Sequence, residues 1–178
     1  MRIISGTHKA RRISAPKKLP VRPTTDIAKE GLFNIINNRY YFSQISILDL
    51  FSGTGNISYE FASRGTKEIT SVDGNYHCVK FINKISEEFE FPISTIKSDV
   101  YSYLEKVKQS QDIIFADPPY AFEKEAFVKI IELVFSNTLL EEGGVLIIEH
   151  SKHTSLEDHA KFCYSKKYGG SVFSFFEM

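Results

Sequence analysis

Cysteine is scarce in this 178-residue chain. Only Cys78 and Cys163 occur, without the paired spacing of a metal site, so the expectation is two buried, reduced thiols rather than a disulfide. Long apolar runs are missing as well. No stretch approaches the ~20 residues that span a bilayer. The start, "MRIISGTHKARR", lacks the apolar centre and small-residue cleavage site of a secretory signal. A cytoplasmic protein without a membrane partner is expected. No internal repeat or low-complexity linker interrupts the chain, whose length suits one domain with a real core but not two large ones. A monomer is the simplest expectation.

Acids are missing from residues 1–25, which instead hold Arg2, Lys9, Arg11, Arg12, Lys17, Lys18 and Arg22. Residues 26–178 carry 15 basic and 22 acidic side chains, so a net charge of zero conceals a basic segment on an acidic body. That asymmetry fits a phosphate-binding arm, although a solvated tail would look the same by charge alone.

The rest of the chain alternates strand and helix patterns. "TTDIAKEGLFNIINN" places Ile27, Leu32, Phe33, Ile35 and Ile36 on a helical stripe, with Thr24 or Thr25 as N-cap. Strands are expected at 46–51, 68–73, 95–99, 112–117 and 144–150, and helices at about 56–64, 74–88, 101–109 and 123–137. Such alternation implies a mostly parallel sheet covered on both faces. The end, "KFCYSKKYGGSVFSFFEM", reads as an antiparallel hairpin around Gly169-Gly170 at a sheet edge. "VFSFFEM" alternates poorly and suits a strand buried on both sides. "RIISG" and "RRISA" can form a small accessory hairpin.

Ligands of open parallel sheets bind beyond the carboxyl ends of the strands, where the strand order reverses. "LDLFSGTGN" (48–56) occupies such an end, with Gly53 and Gly55 allowing a tight turn. A dinucleotide fingerprint wants a third glycine where Ser58 stands, and Asp49 before the loop suits a cation better than a phosphate. Asp73 at the end of the second strand can accept from both ribose hydroxyls of an adenosine. Asp99 at the end of the third can take an adenine amino group, with the Val100 amide on a ring nitrogen. Each acid alone also fits a helix N-cap. Together they describe a pocket for a nucleoside without a phosphate chain.

"DIIFADPPYAF" (112–122) ends the fourth strand on the same rim. The Asp117 carboxylate and the Pro118 carbonyl, stiffened by Pro119, can accept from the two hydrogens of a planar amine. That localises the nitrogen lone pair, while Tyr120 offers a face for a flipped base. The catalysis is by positioning and electrostatics, with no covalent intermediate.

At these residues the sequence resembles class I S-adenosylmethionine-dependent methyltransferases of exocyclic amines, which pair a glycine loop with a [D/N]-P-P-[Y/F] motif. "MRIISGTHKARRISAP", "RPTTDIAKEGLFNII", "ILDLFSGTGNISYEFASRG", "DPPY" and "IIEH" extend the resemblance over nearly the whole chain, to the RsmD family. The resemblance implies a Rossmann-like fold with a mostly parallel seven-stranded sheet, a C-terminal antiparallel hairpin and a short N-terminal extension. It implies methylation of the 2-amino group of one guanine in 16S ribosomal RNA, on the small subunit or its assembly intermediate. Asp49, Ser52, Gly53 and Gly55 would line the methionine part of S-adenosylmethionine, Asp73 the ribose, and Asp99 with Val100 the adenine. Asp117, Pro118, Pro119 and Tyr120 would receive the guanine. Arg22, Thr24 and Thr25 would close the site from the N-terminal side, Thr25 toward the cofactor and the other two toward the RNA. Residues 1–25 would be an RNA-binding extension, with Arg2, Lys9, Arg11 and Arg12 on phosphates, and 26–178 the methyltransferase domain. Gly31 inside a helix, at a cost of up to ~1 kcal/mol relative to alanine, and Asp73 where glutamate is also common are mild departures.

Other readings stay open. The D-P-P-Y motif also serves enzymes acting on adenine in nucleic acid or on protein glutamine, and a non-catalytic RNA-binding protein could retain the fold. The chain has no separate target-recognition domain for DNA, and glutamine enzymes generally carry asparagine where Asp117 stands. His150, His153 and His159 share no rigid element that would make them a metal site; Lys152 and His153 are better placed to touch RNA.

Overall fold

The computed structural model describes residues 1–16, 19, 24–119 and 121–178. The first helix, α1 (Asp26–Asn37), starts where Thr25, in extended conformation, accepts the Ala28 N–H on its side chain at 3.3 Å. Its inner face carries Ala28, Leu32, Phe33 and Ile36, the positions a 3.6-residue period aligns, and also Lys29. Ile27 falls off that stripe and is 75% exposed, contrary to the pattern read from sequence. Gly31 is explained by packing. The Tyr168 ring lies where a Cβ at residue 31 would stand, so glycine lets the helix approach the sheet.

Seven strands follow: β1 (Ser46–Leu50), β2 (Glu68–Asp73), β3 (Ile93–Lys97), β4 (Gln111–Ala116), β5 (Leu140–Ser151), β6 (Phe162–Tyr168) and β7 (Ser171–Phe176). Between them lie α2 (Asn56–Ser63), α3 (Tyr76–Phe89), α4 (Val100–Lys106) and α5 (Lys124–Ser136). They form one sheet in the order β3-β2-β1-β4-β5-β7-β6, parallel from β3 to β5, with β7 antiparallel to both neighbours. The C-terminal hairpin, turning at Gly169 (φ 62°), therefore joins the edge with its second strand inside the sheet. Alternate strand residues feed two cores. Ile47, Ile69, Ile113, Phe115 and Phe173 meet α1, α2 and α3, whereas Leu48, Val72, Ile114, Leu146 and Ile148 meet α4 and α5. Among the described residues no helix is long and apolar enough to cross a membrane. The two cysteines differ from expectation. Cys78 is buried in α3, but Cys163 is exposed on the edge strand β6.

Residues 1–13 form the accessory hairpin, closed by an antiparallel bridge between Arg2 and Arg12 and by Ile3 N–H to Arg11 O (2.9 Å) and Ala10 N–H to Ile3 O (2.9 Å). It is docked: Ile3 and Ile13 are 2% and 3% exposed, within the core that holds α1 and α2. The dock is polar at its centre. Fully buried Glu60 of α2 accepts the Ile4 N–H (2.8 Å) and Ser5 N–H (3.0 Å), the Arg64 Nε (2.9 Å) and the Lys29 ammonium (3.3 Å). All four acceptor sites of the carboxylate are thereby used. Lys29 also donates to Arg2 O (2.6 Å) and Asn56 Oδ1 (2.8 Å), which uses its three protons. Burial holds the Lys29 pKa below its ordinary value, with the Glu60 charge opposing.

Gly6 makes this dock possible. It adopts φ 85°, and a Cβ there would overlap the Ser63 carbonyl, to which Thr7 N–H bonds at 2.7 Å. Gly6→Ala is therefore expected to loosen the hairpin at a cost of about 1–3 kcal/mol. Hydrogen exchange at Ile3 and Thr7 should accelerate while that of β1 and β4 stays protected; unchanged exchange at Thr7 would contradict the assignment.

Candidate active site

The strand order reverses between β1 and β4, and a cavity of about 390 Å³ opens at their carboxyl ends. The β1–α2 loop forms its floor. Phe51 (φ 57°), Gly53 (φ 53°) and Gly55 (φ 79°) are all left-handed, folding the chain so tightly that Gly55 N–H bonds Ser52 O at 2.7 Å. A Cβ on Gly55 would lie 2.6 Å from the buried Tyr59 ring, so side chain and conformation both exclude other residues there. The Gly53 N–H donates to Asp73 Oδ2 (2.8 Å) and the Asn75 N–H to Asp73 Oδ1 (2.7 Å). The Asp73 carboxylate is thus held in one orientation at the cavity wall by two backbone amides.

Asp49 is 2% exposed. Its Oδ2 accepts from the Ser58 hydroxyl, which itself lies 2.7 Å from Ser71 Oγ. The position that departs from the dinucleotide fingerprint therefore holds the acid beneath the loop. Burial pushes the Asp49 pKa up to about 7, with the Ser58 bonds opposing and the Asp73 charge adding to the rise. Across the cavity, Asp117 is also raised, first by burial and then by the charges of Glu149 and Asp49. Its N–H reaches Leu50 O at 3.4 Å, which ties the start of the D-P-P segment to β1. Pro119 O accepts the Phe122 N–H at 2.9 Å, closing a turn that holds Pro118 and Pro119 on the cavity wall.

Of the residues singled out in the sequence, Asp49, Ser52, Gly53, Asp73, Asp117, Pro118, Pro119 and Thr24 line this cavity, and Gly55 shapes its floor. Tyr120 and Arg22, with Lys17 and Lys18, lie outside the described residues. Three others are not among the residues that line it. Thr25 is the exposed cap of α1. Asp99 accepts the Ser102 N–H at 3.0 Å as the cap of α4, because β3 ends two residues before it, at Lys97. Val100 is 2% exposed, its side chain in the α4 core. Arg2, Lys9, Arg11 and Arg12 are exposed on the docked hairpin, and Arg2 pairs with Asp26 at 3.1 Å. His150 is consumed internally, bonding Ser174 Oγ (2.7 Å) and Ser151 O (2.9 Å).

Sequence reasoning passed over Glu149 and Asn56. Glu149, on β5, is 1% exposed and accepts the Thr24 hydroxyl at 2.8 Å. Asn56 lines the cavity and donates to Thr24 O at 3.1 Å. The signal for Glu149 was an acid inside a continuous apolar strand, "VLIIEH", where only a buried role fits.

A glycine loop, oriented acids and a D-P-P turn at the switch point of this seven-stranded sheet define a class I methyltransferase. The chain belongs to the family described as Conserved hypothetical protein 95, the RsmD family, which matches residues 1–177. It is 31% identical over 163 residues to YlbH of Bacillus subtilis (strain 168), whose name makes it a candidate rRNA methyltransferase, covering 89% of this chain and 86% of that one. It is 32% identical over 150 residues to Ribosomal RNA small subunit methyltransferase D of Buchnera aphidicola subsp. Baizongia pistaciae, covering 84% and 75%. A solved hypothetical protein of Thermus thermophilus shares the fold, with a TM-score of 0.86 at 22% identity over 100% of this chain and 99% of the other.

The raised Asp49 pKa predicts a pH-dependent stability. The folded state holds the Asp49 proton up to about pH 7, whereas the unfolded chain releases it near pH 4. Its contribution is complete below about pH 4 and lost as pH rises through 7, a difference of a few kcal/mol at about 1.4 kcal/mol per pH unit. Denaturant unfolding at pH 5 and pH 8 should show this loss in the native chain and a smaller one in Asp49→Asn. Equal pH slopes would contradict it.

Proposed function

We propose that this protein transfers the methyl group of S-adenosylmethionine to the exocyclic 2-amino group of one guanine in 16S ribosomal RNA, on the small subunit or its precursor. The observation that carries this reading is the single cavity wall shared by Asp73, the glycine loop and Asp117-Pro118-Pro119. The relative named small subunit methyltransferase D supports the substrate class.

The donor set suits this cofactor. Buried acid at Asp49 favours a cationic ligand over a phosphate, and the fixed Asp73 carboxylate keeps acceptor capacity for two ribose hydroxyls. Asp99 and the Val100 N–H, just past the end of β3 beside Asp73, take the adenine edge, and Ser98 N–H to Asp73 O (3.2 Å) keeps the two strand ends together. Bound S-adenosylmethionine supplies a methyl group on a sulfonium, which departs as a neutral thioether. Everything else is done by the chain. Asp117 and the Pro118 carbonyl accept the two amine hydrogens, so the nitrogen lone pair is directed out of the ring plane toward the methyl carbon. The elevated proton affinity of Asp117 also suits it to take the proton released once the N–C bond has formed. Tyr120 stacks on the guanine. The hairpin, with Arg2, Lys9, Arg11 and Arg12, is the RNA-binding extension, and its phosphate contacts position the substrate without choosing the base.

The test is incubation with methyl-labelled S-adenosylmethionine and unmodified small subunits, naked 16S RNA or duplex DNA, followed by digestion to nucleosides. Label in 2-methylguanosine from subunits is expected; label only in 6-methyladenine would overturn the substrate. Asp117→Ala should cut transfer by at least ~100-fold while calorimetry finds cofactor binding intact. In the native enzyme the transfer rate should fall as pH drops through an ionisation above the usual carboxylate range, because acceptance needs the ionised Asp117. Neutralising Arg11 and Arg12 together should weaken subunit binding and reduce its salt slope by about two phosphate contacts. An unchanged slope would return the hairpin to a purely structural role.

A further inference from the structure

One chain of hydrogen bonds runs from the residues that hold the basic hairpin to Glu149, on the strand beside Asp117. Lys29 donates to Asn56 Oδ1 (2.8 Å), Asn56 Nδ2 donates to Thr24 O (3.1 Å), and the Thr24 hydroxyl donates to Glu149 Oε2 (2.8 Å). All four residues are buried, none more than 8% exposed, and Glu149 follows Ile148, the register partner of Ala116, so it stands beside Asp117, whose proton affinity its charge raises. The chemistry fixes the Asn56 amide in one orientation. An ammonium can only donate and a backbone carbonyl can only accept, so a flipped amide would lose both bonds. Asn56 is thus the junction between the Glu60–Lys29 pair under the hairpin and the Thr24 contact beside Asp117.

We infer that Asn56 and Lys29 are positioning residues for methyl transfer: through Thr24 and Glu149 they hold the wall of the target-amine pocket in register with the docked N-terminal hairpin. This rests on the proposed function for the meaning of the pocket. A buried ion pair adds little net stability relative to apolar residues of the same size, so stability alone does not account for a lysine inside α1. Registration of two segments does. An RNA gripped by Arg2, Lys9, Arg11 and Arg12 is then presented to Asp117 at a distance set by this chain of bonds.

Asn56→Asp separates the two jobs. The carboxylate still accepts from Lys29, and a negative charge is favourable at the first turn of α2, so the fold is kept. The donor to Thr24 O is lost. Thr24→Val removes the bond to Glu149 without changing shape, and Thr24→Ser keeps it. Single-turnover transfer to small subunits should fall about 10-fold or more in Asn56→Asp and in Thr24→Val. The double variant should fall no further than the worse single one, and Thr24→Ser, which keeps the hydroxyl, should recover most of the rate that Thr24→Val loses. Cofactor affinity should not fall by more than about twofold in any variant, a limit that a merely structural lesion would not respect. Amide exchange over residues 24–28 should quicken in Asn56→Asp.

Multiplying effects in the double variant, cofactor affinity lost in step with rate, or unchanged exchange over 24–28 would each overturn the inference. Failure of the native chain to label guanine would instead overturn the proposed substrate, and the exchange measurement would still decide whether Asn56 positions Thr24.

Discussion

The ion pair between Glu60 and Lys29 is the constraint on which the rest depends. It lies in the contact between α1, α2 and the N-terminal hairpin, and every acceptor and donor site of the two groups is occupied. Two charges out of water are tolerable only on that condition, since each unmet bond to a buried ion costs several kcal/mol. The network therefore behaves as a unit. It admits one placement of the hairpin backbone at Ile4 and Ser5, one rotamer of Lys29 and one amide orientation of Asn56. A hydrophobic contact between the same elements would have tolerated sliding.

The pocket uses the opposite device. Asp49 in β1, Asp117 just past the end of β4 and Glu149 in β5 belong to three strands adjacent in the sheet, and burial raises the first two toward neutrality. Ionised together, three acids at the carboxyl end of a parallel sheet repel one another, so under the proposed function a cationic cofactor would bind their ionised form more tightly. The left-handed backbone at Phe51 belongs to the same logic, as strain held in place by packing against Phe122.

Much of this was legible in the residues. Alternating apolar runs and helical stripes announced the doubly covered sheet, and glycine spacing with D-P-P located the rim, because those features depend on local chemistry. What escaped depends on tertiary context. Lys29 occupies a stripe position shared with Leu32, Phe33 and Ile36, yet a charge there reads as interruption until its partners at residues 2, 56 and 60 are known. Ile27 looked like core and faces water, since one residue of helical phase separates the two outcomes. Asp99 was read at a strand end, with a helix cap as the alternative; β3 stops at Lys97, and Asp99 does cap α4. Ser58 signalled only a missing glycine; that its hydroxyl serves Asp49 required the fold. The N-terminal hairpin was expected from its sequence, but not that Ile3 and Ile13 would join the main core.

The position of β7 carries a consequence for how the chain is made. It is last among the strands in sequence and sixth across the sheet, between β5 and β6. Strands β1 to β4, and β5 beside them, leave the ribosome first and can pair in parallel order. The outer edge of β5, from Leu146 to Ser151, then presents unpaired amides and carbonyls until residues 171–176 arrive to cover it. An apolar edge of that length is a template for pairing with another chain. Completion of the sheet, rather than of the pocket, is thus the step at which a newly synthesised molecule is most exposed to aggregation.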